Sequence, residues 1–124
     1  RRAGLEITQL DQPGGRAPYD LVLCDVPCSG SGSWRRAPEG KWQLTPDKLS
    51  DINDLQDEIL QQAASMVAPE GHLAYATCSV LTVENQDRIN QFLDSNPDWR
   101  QLSAQQWLPG AGGDGFFISV LTRA

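Results

Sequence analysis

The run YDLVLCDVPCSGSG, residues 19–32, carries an apolar segment into Asp25, Pro27 and Cys28 and then into a loop of small residues. Further along, YATCS at residues 75–79 sets Cys78 after a second apolar segment. A thiol becomes a strong nucleophile once its proton is removed, and a carboxyl group nearby can take part in that proton transfer. Cys28 alone would be read as a small buried hydrophobe, the commoner fate of a cysteine after a strand. Two cysteines at matching ends of two such segments, one of them preceded by an acid, point instead to chemistry. Cys24 lies inside its segment and reads as packing. Zinc is a poor fit, because the spacing from Cys24 to Cys28 crosses the end of a strand and no second close pair of ligands follows, His72 included.

Positioning these groups requires a strand at residues 21–26, almost continuously apolar and rich in branched side chains, as in a parallel strand covered on both faces. Pro27 ends it, since proline cannot extend a central ladder. Thr45 as N-cap and Pro46 at the first helical position predict a helix. Its apolar stripe of Leu49, Ile52, Leu55, Ile59, Ala63, Met66 and Val67 runs to about residue 68, where Pro69, Glu70 and Gly71 stop it. A strand is expected at 72–77, beginning at His72. A second helix should follow from near Thr82, with Glu84 in its first turn and Ile89, Phe92 and Leu93 facing inward, ending before Asn96 because Pro97 follows. The turn-rich LPGAGGDG then leads into a last strand, FFISVL. This alternation indicates an α/β fold with a mainly parallel sheet and flanking helices. Ligands of open α/β sheets gather outside the carboxyl ends of the strands, which is where Asp25, Cys28 and Cys78 all fall.

The 124 residues suffice for one domain, and 40% hydrophobic residues suit a globular protein. No apolar run approaches the roughly 20 residues that span a bilayer, so no membrane association is expected and the cytoplasm is the expected compartment. The net charge of −6, from 10 basic and 16 acidic residues, repels a polyanion at long range. Any nucleic-acid contact must therefore be local. Arg35, Arg36 and Lys41, set among Trp34 and Trp42, offer phosphate contacts beside aromatic faces, although a solvated loop would look the same. Neither GSG nor GAGGDG has the spacing of a dinucleotide fingerprint.

The same residues carry a family resemblance. DVPCSGSG resembles the D-A-P-C-S-G-x-G signature, and YATCS the T-C-S signature, of the RNA cytosine-5 methyltransferases of the RsmB/Nop2/Sun family. RRAPEGKW, LQDEIL, VLTVEN and LPGAGGDGFF extend the likeness over residues 19–121. The resemblance implies a partial Rossmann-like fold that uses S-adenosylmethionine as cofactor and RNA, in particular 16S ribosomal RNA, as partner. By motif, Cys78 matches the nucleophile and Cys28 the cysteine that assists product release. Asp25 matches an acid between cofactor and base, both catalytic and cofactor-binding, where a protonated carboxyl donates to cytosine N3. Its structural alternative is a buried Asp that caps the following loop. Arg35, Arg36 and Lys41 match a loop near the RNA path.

The family's early strand and glycine-rich loop have no counterpart here. Residues 1–18 are accordingly expected to be the end of a preceding strand and a linker, and residues 19–124 the C-terminal half of the catalytic domain. Such a piece should be inactive alone and should self-associate through an exposed sheet edge. Two other readings remain open. A DNA cytosine-5 methyltransferase would attack with Cys28, and a non-catalytic RNA-binding or assembly module would use neither cysteine. Amino-group methyltransferases fit less well, because their Asn/Asp-Pro-Pro-aromatic core is replaced by Asp-Val-Pro-Cys.

Overall fold

The computed structural model describes residues 18–33, 42–110 and 113–124. The apolar run after Pro18 forms strand β1 (Tyr19–Asp25). Helix α1 (Pro46–Ala64) starts as the sequence predicts: Thr45 is extended, and its side chain accepts a hydrogen bond from the Lys48 backbone N–H, with Pro46 in the first turn. Strand β2 (Val67–Thr77), a one-turn 3-10 helix (Thr82–Glu84), helix α2 (Gln86–Ser95), strand β3 (Trp99–Trp107) and strand β4 (Phe116–Arg123) complete the order. The strands make one sheet in the order β1-β2-β4-β3.

The α/β architecture with flanking helices is the expected one, but the sheet is mixed where a mainly parallel one was expected. Only β1 and β2 run parallel, while β2 with β4 and β3 with β4 are antiparallel. The cause is β3, which the sequence reading left unassigned. It returns as an antiparallel hairpin with β4, and β4 inserts beside β2. WRQLSAQQW lacks a clear apolar alternation because Trp99 is its only buried residue. Its pairing is therefore decided by β4 rather than by local pattern.

Two further boundaries moved. Strand β2 begins at Val67, so residues expected to finish α1 and then to stop it lie instead in a strand that includes Pro69. The register with β1 jumps between the Tyr19 and Leu21 pairings, and such an irregularity near a strand's start is where a proline is tolerated. The inward face of α1 also differs. Leu55 is exposed, whereas Gln56 and Leu60 are fully buried.

The core lies between the helices and one face of the sheet. It contains Cys24, Val26, Leu60, Leu73, Tyr75, Ile89, Phe92, Trp99, Phe117 and Leu121. Phe92 meets Trp99 edge-on at 5.6 Å, and the Arg123 guanidinium lies 4.7 Å over the Trp99 ring. That guanidinium also donates to the carbonyls of Val67 and Ala68, fixing the turn from α1 into β2. Strand β1 was expected to be covered on both faces, yet it alternates. Val22, Cys24 and Val26 face the helices, while Leu21 and Leu23 are 63% and 61% exposed. Among the described residues nothing covers that second face. No helix of the described residues is long and apolar enough to cross a membrane.

Candidate active site

Parallel pairing of β1 with β2 aligns Asp25 with Ala76, and Val26 N–H still donates to the Ala76 carbonyl at 3.1 Å. Cys28 and Cys78 each lie just past these two strand ends and therefore meet. Their sulfurs are 3.0 Å apart. Cys78 is exposed and Cys28 partly buried. Burial first, and the hydrogen bond with Cys78 second, pushes the Cys28 thiol up from 9.0 to about 12. Cys28 thus keeps its proton at neutral pH. Cys24 is buried within β1 and donates to the Ala74 carbonyl at 3.3 Å, as expected of a packed thiol. Among the described residues no group of three potential ligands is arranged for a metal ion.

The loops that carry the two cysteines are locked to each other. Gly32 N–H donates to the Cys78 carbonyl at 3.0 Å, and Gly115 N–H donates to the Gly32 carbonyl at 2.8 Å. A Cβ at position 32 would stand 2.3 Å from the Gly115 oxygen and 2.7 Å from the Cys78 oxygen, so only glycine allows this approach. The Ser31 and Ser79 hydroxyls pair at 2.9 Å, and Ser31 Oγ also accepts from Val80 N–H. The small residues of PCSGSG are therefore needed for contact between loops, with Gly30 at φ 76° supplying the turn.

Beneath the cysteines lies a polar cluster that the sequence reading missed. Glu84 was expected in the first turn of the second helix. Instead the 3-10 turn precedes α2 and aims the carboxyl inward, where it is fully buried. Its oxygens accept from Ser29 N–H at 2.7 Å, Ser29 Oγ at 2.5 Å, Ser79 Oγ at 2.6 Å and Gln56 Nε2 at 3.1 Å. Gln56 Nε2 also donates to the Pro27 carbonyl at 2.9 Å. Thr77 Oγ1 donates to Asn85 Oδ1 at 2.6 Å, and Asn85 Nδ2 donates to the Ser79 carbonyl and to Gln106 Oε1. Gln106 Nε2, on the unassigned strand β3, donates to the same Ser79 carbonyl at 3.1 Å. The available signal was polar residues at buried phases, Gln56 inside the α1 stripe above all.

Asp25 is exposed at the mouth of β1. No hydrogen bond or ion pair ties its carboxyl to another of the described residues, so it is not the buried loop cap offered as its structural alternative. Beside Cys28 lies an open depression of about 230 Å³, lined by Cys28, Ser29, Gln43, Leu44, Lys48 and Ile52. The structure thus brings Asp25, Cys28 and Cys78 to one sheet edge. Arg35, Arg36 and Lys41, and all but Pro18 of the strand end and linker expected over residues 1–18, lie outside the described residues.

Comparison with known proteins yields a consistent set of relatives. A sequence model of the family described as "16S rRNA methyltransferase RsmB/F" matches residues 4–122. The ribosomal RNA small subunit methyltransferase B of Salmonella arizonae is 40% identical over 99% of this chain and 32% of its own length. The chain therefore spans about a third of the curated relatives it matches. The crystal structure of PH0851 superposes with a TM-score of 0.85 at 31% identity, covering 98% of this chain and 32% of that one. NSun6 from Pyrococcus horikoshii, solved with SFG, shares the fold, with a TM-score of 0.76 at 19% identity over 95% of this chain and 34% of its own.

Proposed function

The chain belongs to the 16S rRNA methyltransferase RsmB/F family, and from that premise we propose that it is the C-terminal part of the catalytic domain of a longer enzyme that methylates cytosine C5 in RNA. The substrate is 16S ribosomal RNA, by analogy with the relatives, and the compartment is the cytoplasm. The observation that carries the reading is the pair of unequal thiols 3.0 Å apart at the ends of two parallel strands.

Cytosine C5 is too weak a nucleophile to be methylated unaided, and addition of a thiolate at C6 makes it enamine-like. S-adenosylmethionine, when bound, supplies the electrophilic methyl group. Cys78 is the exposed member of the pair and is assigned the attack on C6. Cys28, whose thiol keeps its proton, is assigned to release: it passes that proton to the Cys78 sulfur as the bond to C6 breaks, and takes the C5 proton in exchange as the C5–H electron pair re-forms the C5=C6 double bond. Asp25, unpartnered at the strand mouth among the described residues, is assigned a place between cofactor and base, where a carboxyl that has taken up a proton donates to N3 as charge develops and orients the cofactor's polar groups. The rest of the cofactor site is assigned to the part of the enzyme outside this chain, which also covers Leu21 and Leu23. In isolation the chain is then inactive, and the bare side of β1 is where it self-associates. Arg35, Arg36 and Lys41 are assigned to RNA phosphates.

Single-turnover assays in the full-length enzyme test the roles. Cys78→Ser is expected to abolish both methyl transfer and the covalent RNA adduct, whereas Cys28→Ala retains attack and accumulates the adduct on a denaturing gel. An adduct formed without Cys78 and lost without Cys28 would reverse the assignment and favour the DNA-type mechanism.

A further inference from the structure

Glu84 is a carboxyl group buried at 0% exposure, and among the described residues no lysine or arginine pairs with it. Burying an acid without a cation is costly, and uncharged side chains could cross-link two loops without that cost. The arrangement of its donors indicates what the carboxyl does. Ser29, which donates through both its backbone N–H and its hydroxyl, directly follows Cys28. Ser79, which donates to the same Oε1 atom, directly follows Cys78. Gln56 donates to Oε2 and also holds the Pro27 carbonyl, on the other side of Cys28. One carboxyl thus grips the backbone neighbours of both sulfurs, and Tyr75 OH anchors the Glu84 carbonyl at 2.6 Å from below.

We propose that Glu84 is a positioning residue that sets the Cys28 sulfur against the Cys78 sulfur, and so governs the release step rather than the attack. This rests on the roles given above to the two cysteines. Both carboxylate oxygens only accept hydrogen bonds, so four donors can converge on them. A glutamine would replace one oxygen with an NH₂ group that confronts the donors assigned to it. The loops then separate. A displacement of about 1 Å between reacting groups is enough to slow a step by about 100-fold.

The test is Glu84→Gln in the full-length enzyme, compared with Ile89→Ala, a core truncation away from both cysteine loops that serves as a control for lost stability. Glu84→Gln is expected to lower kcat by about 10- to 100-fold with KM for RNA unchanged, and to raise the fraction of RNA trapped as covalent adduct. Ile89→Ala is expected to leave that fraction at the wild-type value. A second readout is independent of the reaction: the rate at which diamide closes a disulfide between Cys28 and Cys78 should fall in Glu84→Gln and not in Ile89→Ala. Should Glu84→Gln fail to fold, Ser29→Ala and Ser79→Ala each remove one hydroxyl donor and should shift both readouts in the same direction by smaller factors. An adduct fraction and a disulfide rate that match the Ile89→Ala control would overturn the proposal. A slowed disulfide with no adduct in any variant would instead overturn the cysteine roles while leaving the positioning intact.

Discussion

Replacing Gly32 with alanine tests how closely the two cysteine loops must pack. The new Cβ would stand 2.3 Å from the Gly115 oxygen and 2.7 Å from the Cys78 oxygen, and both are backbone atoms that cannot swing aside. Comfortable carbon–oxygen approaches begin at about 3.3 Å, so the loops must part by about 0.5–1 Å. That movement breaks the bonds from Gly32 N–H to Cys78 and from Gly115 N–H to Gly32, which are 3.0 and 2.8 Å long. Two lost hydrogen bonds at about 1 kcal/mol each, with residual overpacking strain of about 1–3 kcal/mol, give a loss of about 3–5 kcal/mol. This is a large part of the roughly 5–15 kcal/mol that holds a domain together. In urea it should lower the unfolding midpoint by about 1–5 M. The fluorescence of Trp99, buried against Phe92, reports the transition. A midpoint within about 0.3 M of the unsubstituted chain would refute the claim that this contact is obligatory.

Two other outcomes follow from the thiols. Burial pushes Cys24 up from 9.0 to about 12. Because the folded value is the raised one, this contribution is complete below about pH 9 and is lost as pH climbs towards 12, at about 1.4 kcal/mol per pH unit within that window. The unfolding free energy from urea titrations should fall through this window, by about 1.4 kcal/mol per pH unit less steeply in Cys24→Ala, and identical slopes would contradict it. Mild oxidation is the second case. Since a disulfide needs about 2.05 Å, diamide should join Cys28 to Cys78 by closing the gap by about 1 Å, leaving buried Cys24 as a thiol. Non-reducing peptide mapping that found Cys24 in the linkage would count against the site geometry.

What the sequence disclosed depended on how local the governing interaction was. The start of α1 was legible because Thr45 and Pro46 decide it within one turn. Strand β1 and the meeting of Cys28 with Cys78 were legible because apolar runs ending in the same chemistry must align in a parallel pair. Strand β3 was not, since only Trp99 of its side chains is buried and its partner lies beyond the next turn. Leu21 and Leu23 looked like core, and over the described residues they are bare. Glu84 was misread because the 3-10 turn moves the start of α2 from the expected Thr82 to Gln86, and that change turns a helix-start acid into a buried hub.

The polar cluster explains why the cysteine motifs include serines. Had Cys28 and Cys78 needed only to be near one another, apolar packing between the loops would have been sufficient and cheaper than burying a carboxyl. Apolar contacts are non-directional, however, and tolerate sliding by a fraction of an ångström. A carboxyl that accepts from Ser29 twice and from Ser79 once fixes distance and direction together. The second grip comes from Asn85 and Gln106, which hold the Ser79 carbonyl from the opposite side. Strand β3, which contributes no candidate catalytic group, thereby supports the loop of Cys78, the cysteine to which attack is assigned, through Gln106. On this account the antiparallel hairpin is part of the site's framework, and the late LPGAGGDGFF segment matters because it returns Gly115 to Gly32 and sets Phe116 beside Gln106. Gln106→Leu should then weaken methyl transfer although residue 106 lies on neither cysteine loop. A Gln106→Leu enzyme with unchanged turnover would confine the site to β1, β2 and their loops.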